Sequence, residues 1–237
     1  MSFRTSVTIV ASPRPRVGKT LLARATADFH RHEGRTVEAF DLNKGEGLLR
    51  EFLPKQTRAS AIADIRGQIA LFDTLVKPDD VTRVVDLGHE TFEAFFEVAE
   101  HIGFSEEALA RGIVPAVLFL ITPDRTAIEA FRSLRRRMPG AALVPVHNEI
   151  FGPTQHGDRY GFGIGDKIVR LPALPPQVRK FTDMPPFSFA DVARAKGMPP
   201  EALEQLELWR RKIYREFREL DLRLLLADLR SSITLRV

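Results

Sequence analysis

The chain has 237 residues, 44% of them hydrophobic, with 35 Lys and Arg against 31 Asp and Glu and a formal net charge of +4. That is enough apolar material for one large α/β domain, and the mild basic balance permits contact with nucleic acid or anionic lipid without demonstrating it. The absence of Cys excludes disulfides, thiolate metal sites and Cys nucleophiles, and no apolar run of about eighteen residues or charged-then-apolar leader occurs, so the sequence predicts a cytoplasmic protein without a membrane span.

Residues 7–11 read as a short apolar strand running into Ser12-Pro13-Arg14-Pro15-Arg16-Val17-Gly18-Lys19-Thr20. Gly-Lys-Thr at a strand-to-helix turn is the end of a phosphate-binding loop. Gly18 lets the backbone approach a phosphate, and the following amides form an anion nest at the positive end of a helix. Lys19 is placed to reach β- and γ-phosphates, and the Thr20 hydroxyl to ligand Mg²⁺. Pro13 stands where the usual loop has its first Gly, and Pro15 removes a further amide donor. The candidate nucleotide contacts are therefore Pro13, Arg14, Arg16, Val17, Gly18, Lys19, Thr20 and Leu21.

A helix is expected over 19–33, ending near Gly34. Strand 36–40 ends at Asp41, and a helix is expected over 59–76. Strand 83–85 ends at Asp86, followed by helix 91–110. Strand 116–121 ends at Thr122, followed by helix 124–138. Strand 142–146 leads into His147-Asn148, and strand 168–171 precedes Pro172. The alternation predicts a three-layer α/β/α fold with a mostly parallel sheet. In such sheets ligands sit beyond the carboxyl ends of strands, where Asp41, Asp86, Thr122 and Asn148 all fall.

Asp86, before Leu87-Gly88, reads as the carboxylate holding a Mg²⁺ water shell. Asp41 reads either as a second group near the metal or attacking water, or as a turn Asp with a local backbone bond. Asn148 is placed for an adenine edge, and Asn is also a common turn former. Segment 151–188, rich in Gly and Pro and including Gly161-Phe162-Gly163-Ile164-Gly165, reads as a surface connection or as a loop closing over the base. Arg135-Arg136-Arg137 suits a helix C-terminus. A final helix over 201–230 carries Leu206, Trp209, Ile213, Phe217, Leu220 and Leu224 at spacings of three and four, the pattern of a core-facing stripe. A partner or membrane-surface role for Trp209-Arg210-Arg211-Lys212 is the second reading.

On these residues the chain resembles the ParA/MinD group of P-loop ATPases, whose loop reads K-G-G-x-G-K-[ST]. Arg14-Pro15-Arg16-Val17-Gly18-Lys19-Thr20 keeps the last three residues, with Arg14 in place of the signature Lys that reaches across an ATP-sandwiched dimer. Asp41-Leu42-Asn43 falls where the group has D-x-D, so Asn43 replaces the carboxylate implicated in positioning the attacking water. Asp86-Leu87-Gly88 matches the Walker-B/switch II position, and Asn148 the base-recognising Asn. The second half looks closer to the TraL/MobD-like branch associated with plasmid transfer and mobilisation, through Asn148-Glu149-Ile150-Phe151-Gly152-Pro153, 168–174, 181–184 and 187–191.

The resemblance implies a P-loop NTPase domain over 1–195, with a helical extension over 196–237 packed on it. It implies ATP and Mg²⁺ as cofactors, with Lys19, Arg14 and Asp41 in catalysis, Thr20, Asp86 and Asp41 at the metal, and Asn148 and Pro172 beside the nucleotide. It further implies a nucleotide-dependent homodimer with slow ATP hydrolysis, and a DNA or protein partner in segregation, positioning or transfer. Two other readings stay open. Val17-Gly18-Lys19-Thr20 also fits dethiobiotin-synthetase-like enzymes, although Asp41-Leu42-Asn43-Lys44-Gly45 departs from their substrate segment. A degenerate scaffold that binds nucleotide without hydrolysing it fits the two loop prolines.

Overall fold

A computed structural model of the chain describes residues 5–44, 48–152, 168–192 and 197–234, with side chains described as far as Ala227. The elements follow in the order β1 (Ser6–Ala11), α1 (Lys19–His32), β2 (Val37–Asp41), α2 (Leu49–Phe52), β3 (Thr57–Ala59), α3 (Ile65–Leu75), β4 (Thr82–Asp86) and α4 (Phe92–His101). They continue with α5 (Phe104–Ala110), β5 (Pro115–Leu120), α6 (Arg125–Arg137), β6 (Ala142–Asn148), a 3₁₀ turn (Glu149–Phe151), β7 (Val169–Leu171), α7 (Pro176–Thr182) and α8 (Pro200–Thr234).

The described strands form one seven-stranded sheet in the order β3-β2-β4-β1-β5-β6-β7, and every described pairing is parallel. Parallel strands need crossover helices, and these cover both faces. In β1 the two-residue period is legible: Val7, Ile9 and Ala11 join one apolar cluster, while Val10 joins the other. α1, α2, α7 and α8 pack on the Val10 face, and α3, α4, α5 and α6 on the opposite one. The fold is the expected three-layer α/β/α arrangement. After β1 the chain fills one side of the sheet with β2, β3 and β4, then the other with β5, β6 and β7. The carboxyl end of β1 is thus the topological switch point where ligands bind in such sheets.

Several boundaries depart from the sequence expectation, each for a local reason. Helix 91–110 is two helices, because Gly103 takes a left-handed conformation at φ 63° and redirects the chain between α4 and α5. α3 starts only at Ile65, where Asp64 caps it by accepting the Gly67 N–H. Thr57–Ala59, whose last residue is expected to open the helix 59–76, instead pairs with β2 as β3 at the sheet edge.

The apolar stripe of α8 is buried: Leu206, Trp209, Ile213, Phe217 and Leu220 belong to the same cluster as α1 and the sheet, with Leu224 packed against it. Each such side chain contributes about 1.5–3 kcal/mol when fully buried. The stripe thus holds the helix on the body. Arg35 pairs with Asp221 at 2.6 Å and Arg218 with Glu33 at 2.7 Å, fastening α8 to the far end of α1.

Segment 182–191 is fastened to α1 as well. The Arg24 guanidinium lies 3.6 Å from the Phe52 ring centroid and donates to the Thr182 carbonyl. The buried Asp28 carboxylate accepts from Arg31, Ser188 and the Phe189 N–H. These contacts place the described end of the Gly- and Pro-rich stretch along the C-terminal half of α1. Residues 153–167, with the glycine run proposed to close over a base, and Gly45 lie outside the described residues.

Candidate functional site

The carboxyl ends of β1, β2 and β4 bring four of the expected residues together. β1 ends at Ala11, the loop 12–18 follows, and α1 begins at Lys19. The first intrahelical bond runs from the Leu22 N–H to the Gly18 carbonyl at 3.0 Å. The N–H groups of Lys19, Thr20 and Leu21 therefore stand at the open helix end. No side chain caps α1, and its first turn carries no acidic residue. That is the electrostatic character of an anion site.

Two loop residues have left-handed backbones, Arg16 at φ 57° and Gly18 at φ 98°. Gly18 is required on two counts. Its φ disfavours any L side chain, and a Cβ there would lie 2.6 Å from Asn148 Nδ2. Ser12, fully buried, accepts the Arg14 N–H through its hydroxyl at 3.3 Å. Pro13 in the loop and Leu21 in the first turn of α1 are half-buried, and Arg16 is exposed.

Lys19 is buried and donates from Nζ to the Arg14 carbonyl at 2.7 Å. Burial lowers its pKa, with the charge of Asp86 acting against that shift. The lysine therefore rests on a carbonyl of its own loop and must leave it to take a phosphate oxygen.

Thr20 donates its hydroxyl to Asp86 Oδ2 at 2.7 Å, joining the start of α1 to the end of β4. Asp86 is fully buried, and among the described residues its Oδ1 has no hydrogen-bond partner. Burial pushes its pKa up to about 7, and the neighbouring Asp41 adds to the shift. The Thr20 hydrogen bond, Lys19 and Asn43 oppose it. A buried carboxylate with one orphaned oxygen is costly unless a cation or ordered water completes it.

Asp41 is the direct sheet neighbour of Asp86 in the β2–β4 register. Its Oδ1 accepts from the Asn43 backbone N–H and from Asn43 Nδ2, and its Oδ2 from the Arg50 N–H. The Asn43 amide also donates to the Asp86 carbonyl at 3.1 Å. Asp41 thus shapes the segment between β2 and α2, the turn arrangement named as its second reading.

Asn148 ends β6. Its Nδ2 donates to the Val17 carbonyl at 3.0 Å, and its Oδ1 accepts the Ile150 N–H at 3.1 Å. Leu171, at the end of β7, also reaches the Gly18 position. Pro172 is buried, and its carbonyl accepts the Trp209 indole N–H at 2.8 Å. Asn148 and Leu171 thus flank the loop from the β6–β7 side.

Arg14 is joined to a residue the sequence did not single out. Its Nε and Nη2 donate to Asp124 Oδ1 at 3.0 and 2.6 Å, while its side chain stays 41% exposed. The Arg14 hydrogen bond holds the Asp124 carboxyl down to about 2. Thr122-Pro123-Asp124 before a helical pattern is legible as an N-cap, and Asp124 does accept the Ala127 N–H. Nothing in the sequence joins it to a loop 110 positions earlier.

The residues fit a divalent cation. Among the described residues no three His, Cys, Asp or Glu side chains cluster as an all-protein metal site. Mg²⁺ in phosphate sites needs only one or two protein groups beside phosphate oxygens and water. The Thr20 hydroxyl with the orphaned Asp86 Oδ1 supplies that set.

No protein-family model and no curated protein matches the chain. Among solved structures it is similar to the MinC:MinD cell division complex of Aquifex aeolicus, at 16% identity and a TM-score of 0.49, covering 87% of this chain and 94% of that one. It is also similar to a nucleotide-binding protein of Archaeoglobus fulgidus in complex with ADP, at 14% identity and a TM-score of 0.39, covering 90% and 88%. Neither likeness carries a function to this chain, whose site chemistry stands on its own residues. No helix among the described residues is long and apolar enough to cross a membrane.

Proposed function

We propose that the chain is a nucleotide-binding P-loop protein of ParA/MinD type, taking ATP with Mg²⁺, dimerising in the bound state and hydrolysing slowly. The observation that carries this reading is the Thr20–Asp86 pair at the uncapped start of α1, with a buried carboxylate oxygen left without a partner. Burying a carboxylate oxygen without a partner is costly, and a bound cation would complete it.

In this reading Lys19 leaves the Arg14 carbonyl for the β- and γ-phosphates, and the amides of Lys19, Thr20 and Leu21 take the remaining oxygens. Thr20 and Asp86 would hold Mg²⁺ and its water shell, with Asp41 behind them. When bound, the ion neutralises charge on the phosphoryl oxygens. Asn148, which keeps one amide N–H beyond its bond to Val17, and Pro172 would border the base. Arg16, exposed in the loop, would be available to a facing subunit, and Arg14 only through the part of its guanidinium that Asp124 leaves unpaired.

Slow hydrolysis follows from Asn43. Its amide is a hydrogen-bond donor to Asp41 and to the Asp86 carbonyl, and it supplies no carboxylate to orient an attacking water. γ-Phosphate contacts would order the segments after Asp41 and Asp86, and their loss would release the dimer. A role in DNA segregation, positioning or transfer, through a DNA or protein partner, is the setting that the ParA/MinD and TraL/MobD resemblance suggests.

Size-exclusion chromatography with light scattering tests the switch. A doubling of mass in a non-hydrolysable ATP analogue with Mg²⁺, absent with ADP, is the expected result. One mass with the analogue, with ADP and without nucleotide removes the dimer from the account and leaves nucleotide binding alone.

A further inference from the structure

The phosphate loop has prolines at positions 13 and 15, so it lacks the amide donors and glycine freedom of an ordinary loop. Two side chains from outside it fasten it instead: Asn148 at the Val17 carbonyl, and Asp124 at the Arg14 guanidinium. We propose that Asp124 is a positioning residue of this loop, holding Arg14 so that the loop backbone before Lys19 is fixed in place before nucleotide arrives. The proposal rests on the nucleotide-binding reading above.

Asp124 is placed by the frame and not by the loop. It stands between β5 and α6, accepts the Ala127 N–H as the cap of α6, and takes the Thr122 hydroxyl on Oδ2. Its Oδ1 receives both Nε and Nη2 of Arg14, two charge-assisted bonds on one oxygen. The restraint then passes along Arg14 to its own carbonyl, where the Lys19 ammonium rests at 2.7 Å. Among the described residues Arg14 Nη1 has no hydrogen-bond partner, so the held guanidinium keeps a donor for an anion. Asp124 acts through Arg14 and makes no phosphate contact itself. Its carboxylate would repel one.

Calorimetric titration with Mg·ATP of the full chain, Asp124→Ser, Arg14→Ala and the double variant decides it. Ser keeps a good helix cap but is too short for the clasp, so thermal melting of the nucleotide-free protein should stay within a few degrees. The expected result is that Asp124→Ser weakens Mg·ATP by about 10-fold and that the double variant is no weaker than Arg14→Ala, as for residues acting through one another. Wild-type affinity in Asp124→Ser, or losses that multiply in the double variant, overturns the positioning role while the nucleotide reading stands. An unmodified chain that binds no Mg·ATP overturns both.

Discussion

Lys19→Ala is expected to abolish detectable Mg·ATP binding while leaving a cooperatively folded protein. The lysine is the one loop side chain whose charge is buried beside the open helix end. Hydrogen bonds between a charged donor and a charged acceptor are worth about 1.5–3 kcal/mol each. Losing two phosphate contacts therefore lowers affinity by roughly 100-fold or more. The fold should tolerate the change, because burial already disfavours the ammonium and the lost partner is a single loop carbonyl. Calorimetry of wild type and variant reads the effect directly. Equal affinities would show that the turn after β1 is not the phosphate site.

Asp86→Asn is expected to disable the protein and to remove the pH dependence of stability that this carboxyl contributes. The carboxyl is raised from 3.8 to about 7 by burial. For an acid raised in the folded state, the stabilising contribution is complete below the unfolded pKa and is lost as pH rises through the folded one. Wild-type stability should therefore fall between pH 4 and 7 by an amount tied to this group, with an upper bound of about 4 kcal/mol for a shift of this size. An Asn keeps an acceptor for the Thr20 hydroxyl and carries no charge to bury. Denaturant unfolding at pH 5 and pH 8 should show the variant gaining on wild type at the higher pH, while its nucleotide binding loses dependence on Mg²⁺. Parallel stabilities at both pH values would mean that Asp86 is not a buried, strained carboxylate. A residue kept at such a cost is what a site that trades stability for ligand binding requires.

The layers and much of the site could be read from the chain because their signals are local. Residues 7–11 are apolar and end at a glycine-lysine turn, Asp41 and Asp86 each close an apolar run, and the α8 stripe repeats at helical spacing. These need only neighbours a few positions away. β3 escaped because Thr57-Arg58-Ala59 has no apolar alternation and exists only through its pairing with β2. The break at Gly103 escaped because the residues on both sides are good helix formers.

The fastenings of the loop were out of reach for a different reason. Asp124 to Arg14 and Asn148 to Val17 join residues 110 and 131 positions apart. Thr20 and Asp86 were expected at one metal because a motif relates them. No motif relates Arg14 to Asp124. Asp41 is the opposite case: its carboxylate is committed to the Asn43 and Arg50 amides by the turn it sits in, a local arrangement that the sequence offered.

The central claim is that the start of α1 receives a triphosphate. The most direct measurement is calorimetric titration of the intact protein with Mg·ATP and Mg·ADP. Saturable binding at one site per chain, accompanied by a rise in melting temperature, is the predicted result. A protein that melts cooperatively, yet gives no binding heat and no thermal shift with either nucleotide, would contradict it and leave a scaffold whose loop is closed by its own lysine.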